Sequence, residues 1–328
     1  MKRGAWKLAA LLLGLAVMPV MHVKIALAET VTIAHSTWVG YGPLYIARDE
    51  GIFKKNGVDV DLILMEDPKE RFPAMMADRI QMIASTVDTA LLYMKKPTDF
   101  QYVVAIDDSD GGDGIVAKKD ITSIADLKGK KVAVDDGSVS DFYLNVLLGK
   151  AGLKESELQT VNMTAADAGS AFVAGRVDAA VTWQPWLSRG EATDFGHLLT
   201  DSSKTPGLIT DVLIAKTDWV KAHQKEVAAI VKSWYEAVAF YEQHPDKAIP
   251  IMAKGVGGWL KDPKAFKATL SGIKFYDEAA NKAFFGTADK PGPLTNTVQQ
   301  AIDIWGSHGR LQVKPTPAQL IDYSFVNQ

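Results

Sequence analysis

Trp38, Tyr41 and Asp211, together with the hydroxyls of Ser36, Thr37, Ser85, Thr86, Ser138 and Ser140, are side chains suited to holding a small polar molecule. Aromatic faces attract cationic and donor-rich groups, carboxylates accept their N–H bonds, and hydroxyls beside helix-start amides serve an oxygen-rich end. The stretch Trp38–Ala47 turns a strand, Val31–Ala34, into a helix at a glycine-rich corner. There Pro43 suits the first turn of a helix, and the glycines let backbone approach a bound molecule closely. Trp183 offers a second aromatic wall facing Trp38. Asp88, Asp107, Asp110, Asp135, Asp136 and Asp211 gather near these corners, from which arginine is nearly absent. This balance disfavours a pure anion such as nitrate and favours an ammonium, an amidinium or a zwitterion. Plainer roles compete: Ser138 as the cap of a helix starting at Val139, Ser85 and Thr86 as turn formers, Asp107–Asp113 as a solvated hinge loop, and Trp186 as core.

Catalytic and metal chemistry find little to work with, so no catalytic residue, metal or cofactor is expected. Cysteine is absent, which rules out a thiol nucleophile, a disulfide framework, thiolate metal sites and lipid attachment through a cysteine. The histidines, at 22, 35, 197, 223, 244 and 308, lack metal-ligand spacing, and no phosphate loop, dinucleotide fingerprint or nucleophile elbow occurs. His35 reads as a satisfied buried imidazole.

Lys2, Arg3 and Lys7 precede an apolar run from Leu8 to about Val20, followed by Ala26-Leu27-Ala28. This is the pattern of a secretory signal spanning 1–28, and the run falls short of the roughly 20 residues of a membrane span. Its removal takes away Lys2, Arg3, Lys7 and Lys24 and leaves 32 bases against 39 acids, a net charge of −7. Such a surface argues against nucleic acid and anionic membrane as partners. The expectation is a periplasmic monomer that does not insert in the membrane after cleavage.

Short apolar runs at Val58–Leu64, Gln81–Ser85, Tyr102–Ile106, Lys131–Val134, Thr160–Met163 and Ala179–Trp183 alternate with helix-length stretches at Glu70–Asp78, Val139–Ala151 and Asp167–Ala174. This rhythm predicts an α/β fold with mostly parallel sheets flanked by helices. After about Asp218 the pattern turns helical, with Val227, Ile230, Val231, Trp234, Val238 and Tyr241 on one stripe. Residues 77–86 echo residues 174–183, each running from a helix end into a strand that finishes in hydroxyl-bearing residues. The echo predicts two lobes, and extended crossings at Asp107–Lys118 and Ile209–Lys216 divide the chain between them as 30–112 plus 213–328, and 113–212. The tail from Ile321 is expected to pack on lobe one. Ligands of open α/β sheets bind at strand carboxyl ends, which places Ser36, Thr37, Trp38, Tyr41, Ser85, Thr86, Asp88, Ser138, Ser140 and Trp183 at a cleft between lobes, with Asp110 and Asp211 at the crossings.

The wording Trp38-Val39-Gly40-Tyr41-Gly42-Pro43-Leu44-Tyr45-Ile46-Ala47, then Glu50-Gly51-Ile52-Phe53, resembles the first strand and helix of periplasmic solute-binding proteins of the nitrate/sulfonate/taurine (NitT/TauT, SsuA-like) class. The resemblance implies a two-lobed, type II binding-protein fold whose lobes close on a solute and deliver it to an ABC permease in the inner membrane, with no enzymatic step. Asp211 matches the aspartate that taurine-binding relatives carry for the amine, so the implied solutes are taurine or an aliphatic sulfonate. His35–Pro43 and Ser109–Val116 are also similar to relatives encoded beside urea- or guanidine-processing enzymes, which implies a small nitrogen-containing compound. Proteins of thiamine-pyrimidine synthesis are similar in fold, so pyrimidine binding or synthesis is an alternative, as is a periplasmic ligand sensor.

Overall fold

The computed structural model describes residues 30–328, and the signal expected at 1–28 lies outside the described residues. The apolar runs become strands of two sheets. The first holds β1 (Val31–His35), β2 (Val60–Leu64), β3 (Met82–Thr86), β4 (Phe100–Ser109), β10 (Thr210–Lys216) and β11 (Ile273–Phe275), in the order β11-β4-β10-β3-β1-β2. The second holds β5 (Asp113–Lys118), β6 (Lys131–Val134), β7 (Gln159–Asn162), β8 (Ala179–Trp183) and β9 (Gly196–Asp201), in the order β7-β6-β8-β5-β9. Central strands such as β4 are buried on both faces, which is why Tyr102–Ile106 reads as a continuous apolar run.

The α/β class and the two sheets agree with the sequence, but neither sheet is mostly parallel. β1 pairs in parallel with β2 and β3, and β6 with β7 and β8. β10 is antiparallel to both β3 and β4, β11 to β4, and β5 to both β8 and β9. The reversal has a topological cause, since β5 and β10 enter their sheets from the other sheet rather than over a helical crossover. Their first residues therefore lie beside the last residues of their neighbours: Asp211 opposite Thr86, and Asp113 opposite Trp183.

Helix Gln224–Gln243 buries Val227, Ile230, Val231, Trp234 and Val238, the stripe read from spacing. The tail returns to the first sheet, where Ile321 bridges to Tyr102, the Asp322 amide donates to the Tyr102 carbonyl at 3.1 Å, and Phe325 and Val326 are buried. The sequence echo has a structural counterpart. Helix Pro68–Met76 enters β3 through Asp78 at φ 57°, and helix Ala165–Val173 enters β8 through Gly175 at φ 71°. In both turns the next residue's amide reaches back five residues to a helix carbonyl, Arg79 to Ala74 at 3.0 Å and Arg176 to Ala171 at 2.9 Å.

Candidate functional site: a charged cavity between the sheets

His35 ends β1, and its ring is locked in place. Nδ1 donates to the Ser36 carbonyl at 2.7 Å, Nε2 accepts from the Tyr45 hydroxyl at 2.8 Å, and burial pushes the imidazole down to about 4. It is a neutral structural group, as its setting in the sequence suggested. Beyond it, extended Trp38 and the short turn Val39–Tyr41 lead into helix Gly42–Asp49, with Pro43 in the first turn. Trp38 Nε1 donates to both carboxylate oxygens of Asp107, at 3.1 and 3.2 Å, and the Tyr41 hydroxyl donates to Asp211. Gly40 is pressed against this pair, so that a methyl group there would overlap the Asp107 carboxylate and crowd the Trp38 ring nitrogen. Gly40→Ala is therefore expected to destabilise the protein by about 1–3 kcal/mol, the usual cost of overpacking, and to displace Trp38. Urea unfolding with tryptophan fluorescence measures both.

These groups line a cavity between the sheets with about 470 Å³ of space between its atoms, its mouth included. From the first sheet and its connections come Ser36, Trp38, Tyr41, Glu66, Pro68, Arg71, Ser85, Thr86, Thr89 and Asp211; from the second come Asp113, Asp135, Ser138, Val139 and Trp183. Trp38 and Trp183 meet edge to face across the cavity, ring centres 6.4 Å apart. Ser138 caps helix Val139–Lys150, accepting from the Ser140 amide at 3.2 Å while donating to the Asp135 carbonyl at 2.8 Å, so its capping role and its place in the wall coexist.

Four expected site residues stand back from the cavity wall. Thr37 is turned onto Glu66, to which its amide and hydroxyl donate at 3.1 and 2.5 Å. Asp88 is buried behind Thr89, whose hydroxyl donates to it at 3.3 Å. Ser140 is buried, and its hydroxyl has no hydrogen-bond partner among the described residues. Asp110 points away, paired with Lys274 at 2.7 Å, because it lies just past the end of β4 and its amide is held by the Gly272 carbonyl.

Arg71 corrects the reading that arginine is nearly absent from the cleft. It sits in the first turns of helix Pro68–Met76, which Asp67 caps by accepting from the Lys69 amide at 2.7 Å. Its guanidinium is buried, with Nη1 donating to the Met65 and Glu66 carbonyls at 2.5 and 3.1 Å and Nε without a partner among the described residues. Trp183 Nε1 is likewise buried and unpartnered. Buried donors are costly to leave unsatisfied, and both of these belong to side chains that line the cavity.

The carboxylates supply the opposite chemistry. Burial pushes Asp113 and Asp135 up to about 7, and it raises the Asp107 and Asp211 pair, which face each other across the β4–β10 ladder, well above the usual carboxylate range. One buried guanidinium and several buried carboxylates thus share a cavity with two indoles and the hydroxyls of Ser36, Tyr41, Ser85, Thr86, Thr89 and Ser138. The arrangement suits a small solute with N–H donors, preferably cationic, at one end and an acceptor at the other.

Two α/β sheets exchanging strands, with a polar cavity between them, make up the periplasmic binding protein fold. The periplasmic aliphatic sulphonate binding protein SsuA of Escherichia coli matches at TM-score 0.72 and 20% identity, covering 92% of this chain and 99% of its own. The nitrate-binding protein NrtA of Synechocystis PCC 6803 matches at TM-score 0.73 and 15% identity, covering 92% and 88%. By sequence, the taurine-binding periplasmic protein of E. coli is 26% identical over 310 residues, 91% of each chain. These relatives are binding proteins. Residues 38–248 match the family model described as NMT1/THI5 like, and the chain belongs to that family.

Proposed function

We propose that this chain is the periplasmic solute-binding component of an ABC importer, which captures a small polar solute and hands it to a membrane permease. The observation that carries this reading is the cavity itself, built jointly by both sheets and furnished with buried groups of both charges. The chemistry is capture, with no bond made or broken. Lobes of 30–112 plus 213–328 and of 113–212 would swing about the two crossings, 110–112 and the return ahead of β10. The pairing of β10 with the first sheet from Thr210 onward supports a return hinge just ahead of β10 rather than along Ile209–Lys216, and supports counting Thr210–Val212 with lobe one. Contacts from both lobes form together only when the cleft is shut, so solute shifts the equilibrium toward that state. Among the described residues no helix is long and apolar enough to cross a membrane, which is compatible with delivery to a separate permease.

For the solute, a small zwitterion fits best, with an amine or amidine end at Asp113 and Asp211 and an acceptor end at Arg71. Taurine is the leading case, and the taurine-binding relative supports it. Thermal unfolding of the mature protein against taurine, alkanesulfonates, nitrate, guanidinium, urea, small amines and thiamine pyrimidines tests the reading. A solute bound at 100 times its Kd should stabilise the protein by about 2.7 kcal/mol. A response confined to nitrate or simple alkanesulfonates would overturn the zwitterion assignment, and no response to any compound would count against solute capture. The pyrimidine-synthesis alternative gains no support from His35, whose ring nitrogens are both engaged.

A further inference from the structure

The cavity holds more acid than its own base can balance. Facing Asp211 are Asp107 from β4, Asp113 from β5, Asp88 from helix Val87–Leu91, and Tyr41 and Arg71 from the helical connections of the first sheet. Glu66 and Asp135 complete the charged groups around the wall. Asp108 lies on the other side of β4, where its carboxylate accepts from the Gly207 amide at 3.3 Å and the Thr210 hydroxyl at 3.4 Å. Asp107, Asp113 and Asp211 are all buried, and among the described residues no lysine reaches them within ion-pair distance. Arg71, which lines the cavity, already donates two bonds to main-chain carbonyls. Asp107 and Asp211 stand opposite each other on β4 and β10, and Asp113 lines the same cavity as Asp211; three carboxylates so gathered out of water beside a single guanidinium favour a state in which one of them holds a proton.

We propose that the empty cavity keeps a proton on the Asp107–Asp113–Asp211 group and that the cationic end of the solute takes its place, so that one proton leaves as one solute enters. The charge in the cavity is then the same before and after, with a solute N–H donor in place of the acid proton, and the balance is protein-H plus solute cation giving complex plus free H+. The inference rests on the solute-binding reading of the cavity and adds a regulation to it. Affinity rises with pH through the range in which the group titrates, and below that range it falls about tenfold for each pH unit. The direction of the carboxylate shifts agrees, since burial holds these acids protonated toward neutrality.

Two measurements test the exchange. In the empty protein, 13C signals of aspartate carboxyls followed from acid to mildly alkaline pH should include at least one that titrates close to neutral and is absent from Asp211→Asn or Asp113→Asn. If every aspartate signal titrates in the ordinary range near pH 4, the proposal is overturned whatever the solute is. Calorimetry with taurine, ethylammonium, guanidinium and ethanesulfonate near pH 6.5, in phosphate and in Tris, then counts protons. A cation-bearing probe that binds should show an apparent heat that differs between the buffers by their ionisation enthalpies, equivalent to about one proton released. Equal heats in both buffers, or tighter binding of ethanesulfonate than of taurine, overturn the exchange while leaving solute capture standing. If none of the four binds but the carboxyl signal titrates high, the proton-holding group is supported and the assumed solute class is the part that fails.

Discussion

Asp211→Asn is expected to weaken solute binding by about 100-fold or more while leaving the thermal midpoint of the empty protein unchanged or slightly raised. Asparagine keeps the shape and can still accept from the Tyr41 hydroxyl, so the local packing survives. What disappears is a carboxylate in the cavity wall, able to balance a cationic nitrogen. Leaving such a charge unpartnered in a desolvated site costs about 2–5 kcal/mol, which is where the loss of affinity comes from. The stability side runs the other way. A buried acid whose folded-state value is raised binds more protons folded than unfolded, so it lowers stability as pH climbs above about 4, and removing it relieves that penalty near neutrality. Calorimetry with the best solute of the thermal panel, alongside unfolding of the solute-free variant, separates the two effects. Unchanged affinity would show that Asp211 does not meet the solute.

The second large effect belongs to Trp38. Trp38→Ala is expected to cost about 3–5 kcal/mol of stability as well as the binding site, because the indole is 5% exposed and wedged between the two sheets. Gly112 and Gly272 approach each other at the crossing, and Gly112 also lies against the Trp38 ring, which therefore fills the space beside the joint. Truncation also strips Asp107 of the donor that both its oxygens share. Trp38→Phe restores most of the packing but not that donor, so it should recover stability and leave affinity impaired. Urea unfolding and calorimetry on both variants check this. Full affinity in the phenylalanine variant would show that the indole N–H is dispensable.

Much of this was legible in the sequence because it rests on local periodicity. Val31–Ala34, Lys131–Val134 and Ala179–Trp183 are short apolar runs ended by polar or turn-forming residues, and each is or lies within a strand. The aromatic corner announced itself through its glycines and Pro43. Glu66, Pro68, Arg71, Thr89 and Asp113 also line the cavity without having been read as site residues, and for two of them the reasons are topology and reach. Asp113 begins a strand, and a rule that looks for sites at strand carboxyl ends passes over it. It lines the cavity only because β5 runs antiparallel to β8. Arg71 lies several residues into its helix and turns back toward the carboxyl end of β2; the Asp67-Pro68 start would have fixed that first turn, but not the burial of a long cationic side chain. Asp110 was misplaced because a one-residue shift at a strand's end changes which side of the sheet a side chain serves.

The matched turns at Asp78 and Gly175 bear on how such a cavity could come to be asymmetric. One helix–turn–strand unit is used twice, and each copy delivers the end of its strand to the same space: Ser85 and Thr86 from one, Trp183 from the other. Glycine takes the left-handed position freely, whereas aspartate takes it at a cost, so the first copy keeps the turn despite its side chain. The unit is thus a shared frame and the two or three residues after it are the variable lettering. Changing a solute preference would then require rewriting strand ends and leave the frame alone.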